Sequence, residues 1–243
     1  MTADAPTILA TSGGVVASRR VRWEVGPLTD YAIELAGVGR RPPRVCFVAT
    51  ACGDDAALIR TFYDAAQLRG LQASHLSVFP MPNVPDIGAH LRNQDVIWVW
   101  GGSVAGLLAM WRLHGIDREL RAAWEAGVVL TGVSAGSICW HAGGTTDSFG
   151  PQLRAVTDGL GLLPYANGVH YDSEDQRRPL LQSLIADRTL PPEGYATDDG
   201  TGVLYRGTDF VEAVSEIEGR RAYHLRRNAD GTVTETALPT RLL

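Results

Sequence analysis

Apolar residues along this chain recur in two alternating rhythms. Val45-Cys46-Phe47-Val48-Ala49, His75 to Phe79, Val96 to Trp100 and Val128 to Val133 are short runs rich in β-branched and aromatic residues. The second is ended by Pro80 and Pro82, the third by Gly101-Gly102. Continuous apolar runs of this kind suit parallel strands buried on both faces. Between them, residues 54 to 69 carry Leu58, Ile59, Phe62, Ala65, Ala66 and Leu68 at helical spacing, with Gly70 at the position just past the helix. Helical patterns also span about 103 to 113 and 116 to 126, the latter closed by Gly127. Strands alternating with helices of this length predict an α/β fold, a mostly parallel sheet with helices on both faces.

The two ends of the chain read differently. A short apolar run from Pro6 to Ala10 stops at Ser12-Gly13-Gly14, and Trp23 to Leu35 predicts a helix ending near Gly37 and Gly39. After residue 195, Gly200, Gly202, Gly207 and Gly219 punctuate short β-rich runs, which predict antiparallel strands extending one edge of the sheet. No repeat, low-complexity tract or long linker divides the sequence, so residues 1–243 read as a single α/β domain.

Composition narrows the functional classes. Of the 243 residues, 45% are hydrophobic and 20% charged, which excludes wholesale disorder. A formal net charge of −5 without a long basic run makes a poor nucleic-acid binder, because phosphate neutralisation supplies most non-specific affinity. Cys46, Cys52 and Cys139 form no C-x-x-C, and the six histidines have no metal-binding spacing, so neither a metal nor a cofactor is expected. Residues 1 to 6 lack a basic leader, and no apolar run approaches the roughly 18 residues of a membrane span. The sequence therefore predicts a soluble, cytoplasmic protein with no membrane partner.

The candidate chemistry begins at Gly132-Val133-Ser134-Ala135-Gly136, a G-x-S-x-G lying between a strand pattern and a helix pattern. In a nucleophile elbow the serine sits on a strained turn with small neighbours, and backbone N–H groups behind it face a developing oxyanion. The competing reading is a Gly-flanked turn whose serine caps the helix. A serine nucleophile needs a base and an orienting acid. His170, at the end of a short β-like segment, is the favoured base; His141, seven residues past Ser134, reads as part of the same helix and points back poorly. Asp147 is the leading acid, with Asp172 and Glu174 as alternatives. Trp100-Gly101-Gly102-Ser103 ends one strand and starts a helix at the same sheet edge, so the N–H of Ala135 with that of Gly101 or Gly102 would form the oxyanion hole.

Taken together, Gly101-Gly102-Ser103, Leu107-Leu108, Trp111-Arg112, Gly132-Val133-Ser134-Ala135-Gly136, Thr145-Thr146-Asp147 and His170 resemble the peptidase E family of serine peptidases, across about residues 44 to 210. The resemblance implies a fold like class I glutamine amidotransferase domains. It also implies a Ser-His-Asp or Ser-His-Glu triad on Ser134, His170 and Asp147, and cofactor-free cleavage of dipeptides or short peptides by a monomer or homodimer. The family often has Gly-Gly-Gly-Asn where this chain has Trp100-Gly101-Gly102-Ser103. Its Asp-specific members hold the substrate carboxylate with an arginine, where this chain has an acidic residue within Ser173-Glu174-Asp175-Gln176-Arg177-Arg178. Ser103, Glu174, Arg177 and Arg178 are accordingly the candidate substrate contacts. The alternatives are a cyanophycinase-like hydrolase of β-aspartyl-arginine units and a non-catalytic binding protein of the same fold.

Overall fold

The computed structural model describes residue 3 and residues 5–243; the reading of the first six residues as lacking a leader falls partly outside them. The first half of the chain runs β1 (Thr7–Thr11), β2 (Val15–Ala17), β3 (Trp23–Val25), α1 (Pro27–Leu35), β4 (Arg44–Val48), α2 (Ala56–Arg69), β5 (Gln72–Leu76), α3 (Ile87–Arg92), β6 (Val96–Val99), α4 (Val104–His114), α5 (Ile116–Glu125) and β7 (Val129–Val133). The second half runs α6 (Ala135–Ile138), β8 (His141–Thr146), β9 (Arg154–Val156), β10 (Leu163–Gly168), α7 (Arg177–Ala186), β11 (Glu193–Thr197), β12 (Thr201–Arg206), β13 (Asp209–Ser215), β14 (Ala222–Arg227), β15 (Val233–Ala237) and β16 (Thr240–Leu242).

Five of these strands form the parallel centre of an eight-stranded sheet ordered β16-β13-β12-β1-β7-β6-β4-β5. The apolar runs are fully buried there because helices cover both faces. Helices α1 and α2 pack on one face around Phe47, Phe62 and Trp98, while α3, α4, α5 and α6 pack on the other around Leu107, Trp111 and Leu120. Strands β12 and β13 add to the β1 edge in antiparallel fashion. Strand β16 pairs parallel to β13, and β14 and β15 join a second sheet, ordered β15-β14-β11-β10-β8-β9, in which β8, β10 and β11 run parallel. Helix α7 covers it through Leu181 and Ile185.

Three elements differ from the sequence reading. The predicted helix at Trp23 starts only at Pro27: Gly26 is extended (φ −92°, ψ 170°), proline takes the first turn, and Trp23–Val25 pairs with Val15–Ala17. Strand β5 starts at Gln72 and ends at Leu76, which leaves Phe79 exposed. The helix after Ser134 is a single turn, so His141 opens β8 instead of continuing it.

His141 is fully buried, and its Nδ1–H donates to the Ser137 carbonyl at 2.9 Å. Burial keeps the imidazole neutral and lowers its pKa to about 4, outweighing the contact with Ser137. An unfolded histidine binds its proton near pH 6.5, so the folded state loses stability as pH falls from there toward 4. The loss from this group amounts to about 3 kcal/mol at the acid end. Urea midpoints measured from pH 7.5 to 4.5 should fall less steeply in His141→Gln than in the unmutated protein.

Candidate active site

Ser134 follows β7 at the carboxyl edge of the large sheet. Its backbone sits at φ 57° and ψ −113°, a region that costs a non-glycine residue on the order of 1–3 kcal/mol. The surrounding structure enforces that bend. Ser134 N–H donates to the Thr11 carbonyl (3.1 Å), while its own carbonyl accepts from Ser137 and Ile138. The flanking glycines are required sterically. A Cβ on Gly132 would strike the Gly136 carbonyl, and one on Gly136 would strike the Val99 carbonyl of β6. The five-residue motif is thus a description of how closely the turn folds against its neighbouring strand.

His170 lies two residues past β10 in the second sheet and is also left-handed, at φ 52°. Its N–H donates to Ser12 Oγ at 3.1 Å, one residue from the carbonyl that holds Ser134. Ser12 Oγ further bonds Thr197 Oγ1 at 2.7 Å, at the end of β11. Ser12 therefore fastens the carboxyl edges of the two sheets together and brings residues 134 and 170 to one junction. Such edges are where α/β sheets carry their sites. Among the described residues the Ser134 hydroxyl makes no hydrogen bond, to His170 or to any other group.

The carboxylate on His170 belongs to Asp199. His170 Nδ1 lies 2.5 Å from Asp199 Oδ1, a contact that in the neutral ring puts the proton on Nδ1 and the lone pair on Nε2. Asp199 is two residues past β11, as His170 is past β10. Asp147, the leading sequence candidate, follows β8 on the opposite side of β10; its side chain is exposed and takes no hydrogen bond among the described residues. Asp172 has a supporting place: its Oδ1 accepts from Asp199 N–H at 2.8 Å, and Arg220 pairs with Oδ2. Asp199 and Ser12 are the residues that reading the sequence missed. The signal for Asp199 was an acid two residues beyond a strand pattern, Tyr195-Ala196-Thr197, in the same relation to its strand as His170.

The other predicted residues divide. Gly101 lies against the serine, since a Cβ built on it would be 3.1 Å from Ser134 Cβ and 3.8 Å from Oγ. Gly102 (φ 133°) passes so close to the Ala51 carbonyl that no side chain fits. The N–H groups of Gly101, Gly102 and Ala135 have no acceptor among the described residues. Ser103 caps α4, its Oγ accepting from Gly106 N–H at 3.1 Å. Glu174 Oε2 accepts from Arg177 Nε at 2.8 Å. Arg177 is buried and also donates to the Thr145 carbonyl. Arg178 is held by Glu235 and lies over the rings of Tyr171 and Tyr223, at 5.1 and 4.8 Å. Neither guanidinium is free.

A cavity of about 550 Å³ is lined by residues that include Arg22, Trp23, Cys52, Asp55, Leu58 and Trp100, the last of which precedes Gly101 in the chain. Among the described residues no group of three or more His, Cys, Asp or Glu side chains is arranged to hold a metal ion. No helix there is long and apolar enough to cross a membrane.

Comparison with known proteins places the chain in a family. Residues 9–213 match the model of peptidase family S51. The chain is 40% identical over 204 residues to the uncharacterized peptidase YgaJ of Bacillus subtilis (strain 168), covering 84% of this chain and 86% of that one. It is 28% identical over 160 residues to peptidase E of Shewanella denitrificans, covering 62% and 67%. Its fold is similar to that of a peptidase from an acI-B1 actinobacterium (TM-score 0.66, 17% identity, covering 97% of this chain and 95% of that one).

Proposed function

The chain belongs to peptidase family S51, and from that premise we propose that it is a serine peptidase that cleaves short peptides through an acyl-enzyme on Ser134. Ser134 Oγ attacks the scissile carbonyl carbon while His170 Nε2 takes the hydroxyl proton. Asp199 holds the imidazole in the required tautomer and stabilises the imidazolium that forms. The carbonyl oxygen becomes an oxyanion facing the N–H of Ala135 and that of Gly101 or Gly102, donors each worth roughly two to three powers of ten in rate. The C–N bond then breaks as His170 returns the proton to the leaving amine. Water, deprotonated by the same nitrogen, releases the acyl group.

The observation that carries this reading is the coincidence of two strained non-glycine residues, Ser134 and His170, on the edges that Ser12 joins, with His170 Nδ1 on a carboxylate. Strain of that kind persists where the surrounding structure over-determines it, and it clusters at reactive sites. The engagement of Arg177 and Arg178 argues against an acidic side chain held there. Glu174 is likewise engaged by Arg177, which argues against its receiving the arginine of a β-aspartyl-arginine substrate. A serine-directed fluorophosphonate probe tests the nucleophile. It should label the protein once, at Ser134, and fail to label Ser134→Ala; labelling of both, or of neither, would remove Ser134 from the role.

A further inference from the structure

Resting on that assignment of Ser134, the geometry points to a second recognition element: the cavity beside Trp100 takes the C-terminal residue of a short peptide, its carboxylate on Arg22 and an apolar or aromatic side chain against Trp23, Trp100 and Leu58. Position is the first argument. Trp100 immediately precedes Gly101, whose backbone abuts Ser134, and Cys52 Sγ–H donates to the Gly101 carbonyl at 3.0 Å. The wall of the cavity and the backbone that faces the oxyanion are therefore one continuous piece of chain.

Rigidity and polarity are the second argument. Trp23 and Trp100 are stacked, with ring centroids 5.2 Å apart and planes 15° from parallel. Trp98 meets both edge-on, and Phe47 packs behind Trp98 and Trp100. An aromatic floor fixed this way offers a large contact area with little side-chain ordering on binding. The volume suits a small ligand.

Charge is the third. Around the junction Arg177, Arg178 and Arg220 are all ion-paired, to Glu174, Glu235 and Asp172. Arg22 is exposed and makes no side-chain hydrogen bond or ion pair among the described residues. A carboxylate is the natural partner for its fork of donors. Asp55 also lines the cavity, with Oδ1 accepting from Leu58 N–H at 2.7 Å and capping α2. That negative charge disfavours an acidic side chain on the same residue of the substrate. The combination selects a free C-terminus carrying an apolar or aromatic side chain.

The experiment pairs turnover with binding. Dipeptides ending in Phe, Ala or Glu, and the amide of the Phe peptide, are compared on the full-length protein, with the N-terminal residue held at the best-cleaved choice. The Phe peptide should exceed the Ala peptide about 10-fold or more in kcat/KM, and the Glu peptide should be poorest. Amidation should lower the Phe peptide at least about 10-fold. Arg22→Gln, at an exposed position, should bring the free acid down to the level of the amide and leave the amide unchanged. Calorimetric binding to Ser134→Ala, with and without Arg22→Gln, should give the same ordering without turnover. Equal affinity for acid and amide, or equal loss of both in Arg22→Gln, would overturn the Arg22 site. Turnover that survives in Ser134→Ala would instead overturn the nucleophile, and the binding comparison would still judge the cavity.

Discussion

Ser134→Ala is expected to lose peptide hydrolysis almost entirely, with kcat reduced by up to about 10⁶, as when the nucleophile of another serine protease is removed. The hydroxyl is the only group of that side chain the reaction uses, so KM for the best substrate should change little. Alanine has the same Cβ as serine and suffers the same strain at φ 57°, so the thermal midpoint should move by no more than a few degrees. That combination separates chemistry from folding. A variant that unfolds would lose binding together with rate, whereas this one should still bind peptide. Retention of more than a small fraction of the rate would mean that another group attacks.

The second large effect concerns the carboxylate. Asp199→Asn should lower kcat by about 10⁴, because an amide can hold the imidazole with the wrong nitrogen protonated and cannot stabilise its charged form. The geometry at stake is the 2.5 Å contact from Nδ1 to Oδ1. Asp147→Asn, at an exposed side chain without partners, should alter kcat less than twofold and stability by no more than about 0.5 kcal/mol. Rates and urea midpoints for the two variants side by side decide between the two acids. Reversal of their ranking would return the role to Asp147.

That pair of residues also marks where local pattern stops being informative. The elbow was legible because its requirement is local: Gly132, Ser134 and Gly136 fall within five residues, and the clash each glycine avoids is with the adjoining turn or strand. The central parallel strands were legible because burial on both faces leaves an unbroken apolar run. The carboxylate that meets His170 is a long-range matter. Strand β10 has a parallel neighbour on each side, β8 leading to Asp147 and β11 leading to Asp199, and both acids stand just past their strands. Which one meets the imidazole depends on the backbone rotation at His170, φ 52°, and on Ser12 holding its N–H. Neither leaves a trace in spacing. The second sheet escaped for a related reason. Its strands contain Gly143, Gly144, Gly168 and Gly194, where close backbone approach takes the place of side-chain pattern. The ribbon at Trp23 was read as helix because the apolar residues continue smoothly across Gly26 and Pro27, the two positions at which the conformation changes.

The clasp at Ser12 has a further consequence. In the proposed mechanism the attacking oxygen stands at the carboxyl edge of one sheet and the proton acceptor at that of the other, so neither sheet alone carries both groups. On that mechanism hydrolytic competence belongs to the seam and arises only when both sheets have formed and met.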